Sequence, residues 1–115
     1  MESYRVDVYN IVGGEYCIEA DVGQKVFEII EKALTENRKV IISFRNVTRI
    51  TTAFLNTAVG QLLRDFEEDE IKSKVSYEDI TDVDRMKIRR VNQTAKLYYE
   101  NPERMKNTIE DILGE

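Results

Sequence analysis

The chain has 115 residues, of which 42% are apolar and 34% charged, with a formal net charge of −5 and no histidine. This length suits one domain with one core, and the acidic balance disfavours general binding to nucleic acid or to an anionic membrane, because phosphates demand a surplus of Lys and Arg. Without histidine the usual general base, the triads built on it and the commonest transition-metal ligand are all missing.

The N-terminal stretch MESYRVDVYN has neither the basic nor the apolar segment of a secretory signal. No apolar run approaches the ~20 residues of a membrane span, and the lone Cys17 has no internal disulfide partner. These features favour the cytoplasm, with no membrane partner.

Residues 4–12, YRVDVYNIV, alternate Tyr4, Val6 and Val8 against Arg5, Asp7 and Tyr9, which predicts a half-buried strand. Gly13-Gly14 supplies a tight turn, and EYCIEA returns with Tyr16, Ile18 and Ala20 on one side, so an N-terminal hairpin is expected. Asp21 and Gln24 have capping-box spacing. Val22, Val26, Phe27, Ile29, Ile30, Ala33 and Leu34 then recur at helical steps, predicting a helix of about four turns that ends near Asn37. The continuous apolar run VIISF at 40–44 predicts a central strand buried on both faces.

After the loop RNVTRI, a second helix is predicted from Thr52 or Ala53 to about Phe66, with a seam of Phe54, Leu55, Ala58, Val59, Leu62, Leu63 and Phe66. Gly60 costs that helix ~1 kcal/mol relative to Ala, a sign of close backbone approach. The acidic block Asp65–Glu70 ends the helix, and Ile71–Tyr77 alternates as another strand. Thr81 and Asp84 repeat the capping spacing and open a third helix in which Val83, Ile88, Val91, Ala95 and Tyr98 face the core. Asn101-Pro102 breaks the chain, and a last helix presents Met105, Ile109, Ile112 and Leu113, with Gly114 at its stop. Strands joined by crossover helices lie parallel, so the order predicts an α/β domain over residues 1–115, a mixed sheet with a parallel centre and a hairpin edge.

The chemistry available is limited. Gly13-Gly14 is followed by no Lys-Ser or Lys-Thr at P-loop spacing. The acidic block lacks the EF-hand pattern, and Cys17 reads as a small packed hydrophobe. No catalytic residue, cofactor or metal is expected, and nothing asks for an enzyme. Arg85, Lys87, Arg89, Arg90 and Lys96 form a basic cluster that either pairs with Asp65–Glu70 or contacts a charged partner. The alternative functions are therefore a nucleic-acid contact through the basic helix 83–99, with Tyr98 and Tyr99 available for stacking, or a small nucleotide-binding protein. Homodimerisation through apolar helix surface is a further option.

Thr51 and Thr52 stand where the strand's loop enters the second helix. A threonine at the N-cap accepts from an unpaired helix amide, typically worth ~1 kcal/mol, which explains one of them. A phosphate on the other would meet the positive end of the helix and present a partner with a new dianion.

The segment VIISFRNVTRITTAFLNTAVGQLL resembles the central part of the STAS-like domain family, related to the STAS domains of anti-sigma-factor antagonists and sulfate transporters. Shared features are a buried strand ending in Phe, a short loop with Val, paired small hydroxyl residues, and a helix of small residues with Gly and Leu. The resemblance implies an α/β domain with a mixed sheet and helices mainly on one side. It also implies a non-catalytic regulatory or protein-interaction module, with a kinase-like ATPase or other regulator as partner. In the antagonists one serine of an Asp-Ser-Ser-Gly loop is phosphorylated. Carried over, the acid falls on Thr51, the acceptor on Thr52, the second serine on Ala53 and the glycine on Phe54, so only the acceptor hydroxyl is retained. Thr52, with Thr51 beside it, is the phosphoacceptor candidate, and Arg45, Asn46, Arg49 and Asn56 are the candidate partner contacts.

Overall fold

The computed structural model describes residues 3–100. In chain order these form β1 (Tyr4–Asp7), α1 (Val8–Val12), β2 (Tyr16–Cys17), α2 (Ala20–Thr35), β3 (Val40–Ser43) and β4 (Arg49–Ile50), followed by α3 (Thr52–Leu55), a π-helical turn (Asn56–Gly60), α4 (Leu62–Asp65), α5 (Glu68–Lys74), β5 (Val75–Glu78) and α6 (Asp82–Glu100). The last predicted helix, with its break at Asn101-Pro102, lies outside the described residues.

VIIS takes the central position of a three-stranded sheet ordered β1-β3-β5. Tyr4 pairs with Val40 and Val40 with Val75, and the register places Tyr4, Val6, Val40, Ile42, Val75 and Tyr77 on one face. α2 packs on β1 and β3 from that side. Its apolar stripe Val26, Phe27, Ile30, Ala33 and Leu34 is buried there. The opposite face is open at Arg5, Ser76 and Glu78, and Ile41 is only half-buried. The α/β class and the one-sided helix packing agree with expectation, and so does burial of β3 on both faces except at Ile41, since Ser43 on the second face is 1% exposed.

The expected N-terminal hairpin is not formed. The strand stops at Asp7, whose Oδ1 accepts from the Asn10 amide (3.3 Å) and whose Oδ2 accepts from Asn10 Nδ2 (2.9 Å), capping α1. Val8, the third apolar residue of the alternation, is fully buried from that helix. Gly13 adopts φ 86° as the helix C-cap and donates its amide to Tyr9 O, so the glycine serves a helix end rather than a hairpin turn. Tyr16 and Cys17 then pair in parallel with Arg49 and Ile50 of β4. All pairings among the described strands are parallel, so the expected mixed sheet with a hairpin edge is corrected to a parallel sheet and a separate parallel pair.

The first long helix starts at Ala20 rather than after Asp21: Glu19 is its N-cap residue, and the Asp21 carboxylate accepts from the Val22 amide (2.9 Å). It ends as expected, with Asn37 at φ 60° donating its amide to Leu34 O.

The second predicted helix has the expected extent, and Phe54, Leu55, Ala58, Val59 and Leu62 of its seam are buried. Its middle widens into the π turn. There the Thr57 carbonyl accepts from Gln61 Nε2 (2.9 Å), which also donates to Gln24 Oε1 (2.8 Å) and so ties the turn to α2. Gly60 meets the anticipated close neighbour: a Cβ there would lie 3.2 Å from Val91 Cγ1 of α6.

The alternating stretch 71–77 is only partly strand. Glu68, Asp69 and Glu70 occupy the first turn of α5 and Lys72 and Lys74 its last, with Glu68–Lys72 and Glu70–Lys74 ion pairs of 2.9 Å. Acids at the positive helix end and bases at the negative end favour helix. The acidic block thus begins a helix instead of only ending one, and β5 starts at Val75.

In α6, Thr81 Oγ1 accepts from the Asp84 amide (3.1 Å), the expected cap. Ile88 and Val91 are buried and Ala95 is half-buried, whereas Val83 is 65% and Tyr98 38% exposed. At about 100° per residue Val83 points well away from the line through Ile88, Val91 and Ala95, and Tyr98 falls at its margin. Neither belongs to the core as expected.

Candidate functional site at the β4–α3 junction

The junction that carries the two threonines is held from three sides. From β2 and the residue before it, the Glu15 carbonyl accepts the Thr48 amide (2.9 Å) and the Cys17 carbonyl accepts the Thr51 amide (3.0 Å). From α6, Lys87 Nζ donates to the Ile50 carbonyl (3.1 Å). From α3, the Phe54 amide donates to Thr51 Oγ1 (3.2 Å) and the Leu55 amide to the Thr51 carbonyl (3.1 Å).

The threonines have different tasks. Thr51 is half-buried, and its hydroxyl donates to the Ile18 carbonyl (2.6 Å) while it accepts from Phe54, so its hydrogen-bonding capacity is used within the fold. It is the N-cap residue. Thr52 is exposed, and its hydroxyl has no hydrogen bond to another described residue. The cap reading explains Thr51, and Thr52 is accessible.

Arg49 and Asn56 are exposed on either side of Thr52, Asn56 lying four residues on and so on the same helix face. Arg45 and Asn46 are also exposed but belong to the far end of the loop. There the Val47 amide donates to Phe44 O (3.0 Å) across a turn in which Asn46 takes φ 68°, and the Arg45 amide donates to Ser43 Oγ (3.3 Å). Asn46 thus has a backbone role that its sequence context did not reveal.

Parallel pairing of β2 with β4 also brings two exposed apolar side chains to the junction, Tyr16 at 58% and Ile18 at 39% exposure. Sequence reading placed them inside a hairpin. No local pattern marks their position, because the pairing joins segments distant in the chain.

A second cluster lies at the carboxyl ends of the strands. Ser43, 1% exposed, accepts from Arg5 Nη2 (3.2 Å) and donates to Asp79 Oδ2 (3.1 Å). Arg5 also pairs with Glu78 at 2.6 Å, and that carboxylate's hydrogen bond raises the guanidinium's pKa. Ser43 is saturated by these partners, and no buried side-chain polar atom among the described residues lacks one. The cluster stitches β1, β3 and β5 together.

Cys17 is fully buried, and desolvation pushes its thiol up to about 11. A raised thiol pKa means that the fold favours the protonated form. Its contribution to stability is complete below the ordinary value of 9.0 and is lost as pH rises through about 11. We expect no labelling of the native protein by iodoacetamide at neutral pH, full labelling in denaturant, and a falling melting temperature between those two pH values. Rapid native labelling would show that β2 opens readily.

The basic cluster is only partly committed. Lys96 reaches Glu68 (3.3 Å) and Lys87 reaches Asp84 (3.4 Å), whereas Arg85, Arg89 and Arg90 form no ion pair with another described residue. The expected pairing with the acidic block is therefore confined to Lys96. Among the described residues no group of three or more acidic or Cys side chains is arranged to hold a metal ion, and no helix is long and apolar enough to cross a membrane.

No curated protein and no solved structure matches this chain. The model of the STAS-like domain of unknown function (DUF4325) matches residues 22–85, more than half of the chain, from α2 through the threonine junction to the start of α6. The chain therefore belongs to this STAS-like domain family.

Proposed function

We propose that this protein is a non-catalytic interaction module that docks a regulatory protein over the β4–α3 junction, and that a phosphate on Thr52 would release that partner. The observation that carries the reading is the meeting, at one place, of an exposed hydroxyl on Thr52 and the exposed apolar side chains of Tyr16 and Ile18. Aromatic and apolar groups beside a polar rim are the usual composition of a binding patch. The absence of histidine and the burial of Cys17 support the non-catalytic part. A kinase-like ATPase or another regulator is the partner class to which the antagonist resemblance points.

A dianion at Thr52 would leave the fold intact, because an acid in the first turn of a helix is tolerated, but would oppose a partner seated on Tyr16 and Ile18. The test uses a protein that co-purifies with the chain from its native source. After purification of both, Thr52→Glu is expected to weaken binding about tenfold or more, worth ~1.4 kcal/mol. Thr52→Val should bind as the wild type does, with melting temperatures unchanged. Equal affinity for the glutamate variant removes Thr52 from the account. Equal affinity for Tyr16→Ser moves the docking surface elsewhere. Incubation with the partner and Mg-ATP, followed by peptide mass spectrometry, checks whether the partner itself supplies the phosphate.

A further inference from the structure

We infer that the groove between α5 and α6 binds a small organic anion with an apolar body, a site separate from the β4–α3 junction. At about 410 Å³, this groove is larger than three others on the described residues, of about 270, 360 and 260 Å³. Its volume falls in the range of sites for small molecules. It combines an apolar lining with a surplus of positive charge.

The apolar part comes from Leu63 of α4 and Ile71 of α5, both half-buried, with Ile71 packed against the core. Both keep part of their apolar surface exposed to solvent. An apolar ligand body would cover them and remove their remaining surface from water.

The charge comes from Lys72, Arg89 and Lys96, against the one acid of the lining, Glu68. Lys72 and Lys96 both address that carboxylate, at 2.9 and 3.3 Å, and hold its pKa below the ordinary value. Glu68 is therefore neutralised, and the lining retains a surplus of two positive charges. The three grooves compared above contrast with this. The one beside Tyr16 has Glu15 and Glu19 as its only charged residues, the one at Phe66 has more acids than bases, and the one at Tyr4 has one surplus base. On a chain of net charge −5, an anion is attracted more strongly to the α5–α6 groove than to these three.

Arg89 is the residue available to fix the anion. It is exposed and forms no ion pair with another described residue, and its planar fork suits a carboxylate, sulfonate or phosphate. Asn92 and Gln93 lie three and four residues further along α6, on the same face, where their amides can bond polar groups of the ligand. A small molecule is favoured over a nucleic acid because the cationic surface is short and the whole chain is acidic.

The probe is 8-anilinonaphthalene-1-sulfonate, an aromatic body with one sulfonate, titrated at low ionic strength into the full chain. Expected is a saturable fluorescence rise at one site per chain. Arg89→Ala should lower the affinity by up to about fivefold, in line with loss of one exposed ion pair, and Arg89→Lys should keep most of it. The neutral analogue N-phenyl-1-naphthylamine should bind more weakly. Because Arg89 is exposed, the variants should melt with the wild type, and Lys96→Gln gives a second, independent reading should Arg89→Ala fail to fold. The proposal is overturned if binding is not saturable, if both Arg89→Ala and Lys96→Gln bind as the wild type does, or if the neutral analogue binds equally well. Displacement of the probe by a single-stranded oligonucleotide at comparable concentration would overturn it in favour of a nucleic-acid site.

Discussion

Phe54→Ala should reduce unfolding free energy by about 3–5 kcal/mol, the range for deleting a buried aromatic ring. Phe54 is 0% exposed and belongs to the core cluster that also takes in buried residues of α2, β3 and α6. The substitution leaves the local backbone bonds available, since the Phe54 amide would still donate to Thr51 Oγ1. The loss therefore reports the ring's packing rather than the cap. A domain of this size has about 5–15 kcal/mol in total, so the variant should stand close to its folding limit. Urea denaturation followed by circular dichroism measures it: the midpoint falls, while an unchanged slope would show that the amount of surface exposed on unfolding is preserved. A loss under ~1 kcal/mol would mean that the start of α3 is not seated in the core.

Gly23→Ala is the second large effect, and its sign is the informative part. Helix propensity alone would favour alanine by ~1 kcal/mol in the interior of α2. A Cβ at this position would lie 2.7 Å from the Phe54 carbonyl oxygen and 3.2 Å from Thr57 Cβ. The first neighbour is backbone, held in place by the cap at Thr51, so it cannot rotate aside. Overpacking of this kind costs about 1–3 kcal/mol, and with a fixed carbonyl as the obstacle we expect a net loss of ~2 kcal/mol, lowering the melting temperature by roughly 8 °C. Gly60→Ala is the matched comparison. Its nearest neighbour is a side-chain methyl, Val91 Cγ1 at 3.2 Å, which can shift by a few tenths of an ångström, so the loss should be clearly smaller. A stabilising Gly23→Ala would show that α2 and α3 are not in such close contact.

These two residues also show which parts of the fold were legible in the sequence. The stripe of α2, the seam of the second helix and the central position of VIIS follow from short-range apolar spacing, and so does the close approach at Gly60. The close approach at Gly23 carries no such signal, because its neighbours Phe54 and Thr57 lie in a distant segment of the chain and no periodicity encodes that meeting. The hairpin failed for a related reason. Tyr4–Val12 has the alternation of a strand, yet Asp7 offers a cap, and the parallel partner of β1 is β3. In Ile71–Tyr77 the alternation was equally present, and helix won over 68–74 because the charges Glu68, Glu70, Lys72 and Lys74 are arranged four apart. At the candidate site, the accessible hydroxyl at Thr52 and the cap at Thr51 were within reach of sequence reasoning. Tyr16 and Ile18 were not, since only long-range pairing takes them there.

The all-parallel pairing has a kinetic consequence. Tyr4 waits for Val40, Val40 for Val75, and Tyr16 for Arg49, so among the described residues no two adjacent stretches of chain zip together as a first piece of sheet. Loop closure must come before any strand contact is rewarded. Refolding should thus begin with α2 gathering the strands on either side of it, and the β2–β4 clasp that presents Thr52 should be among the last features to reach its native form.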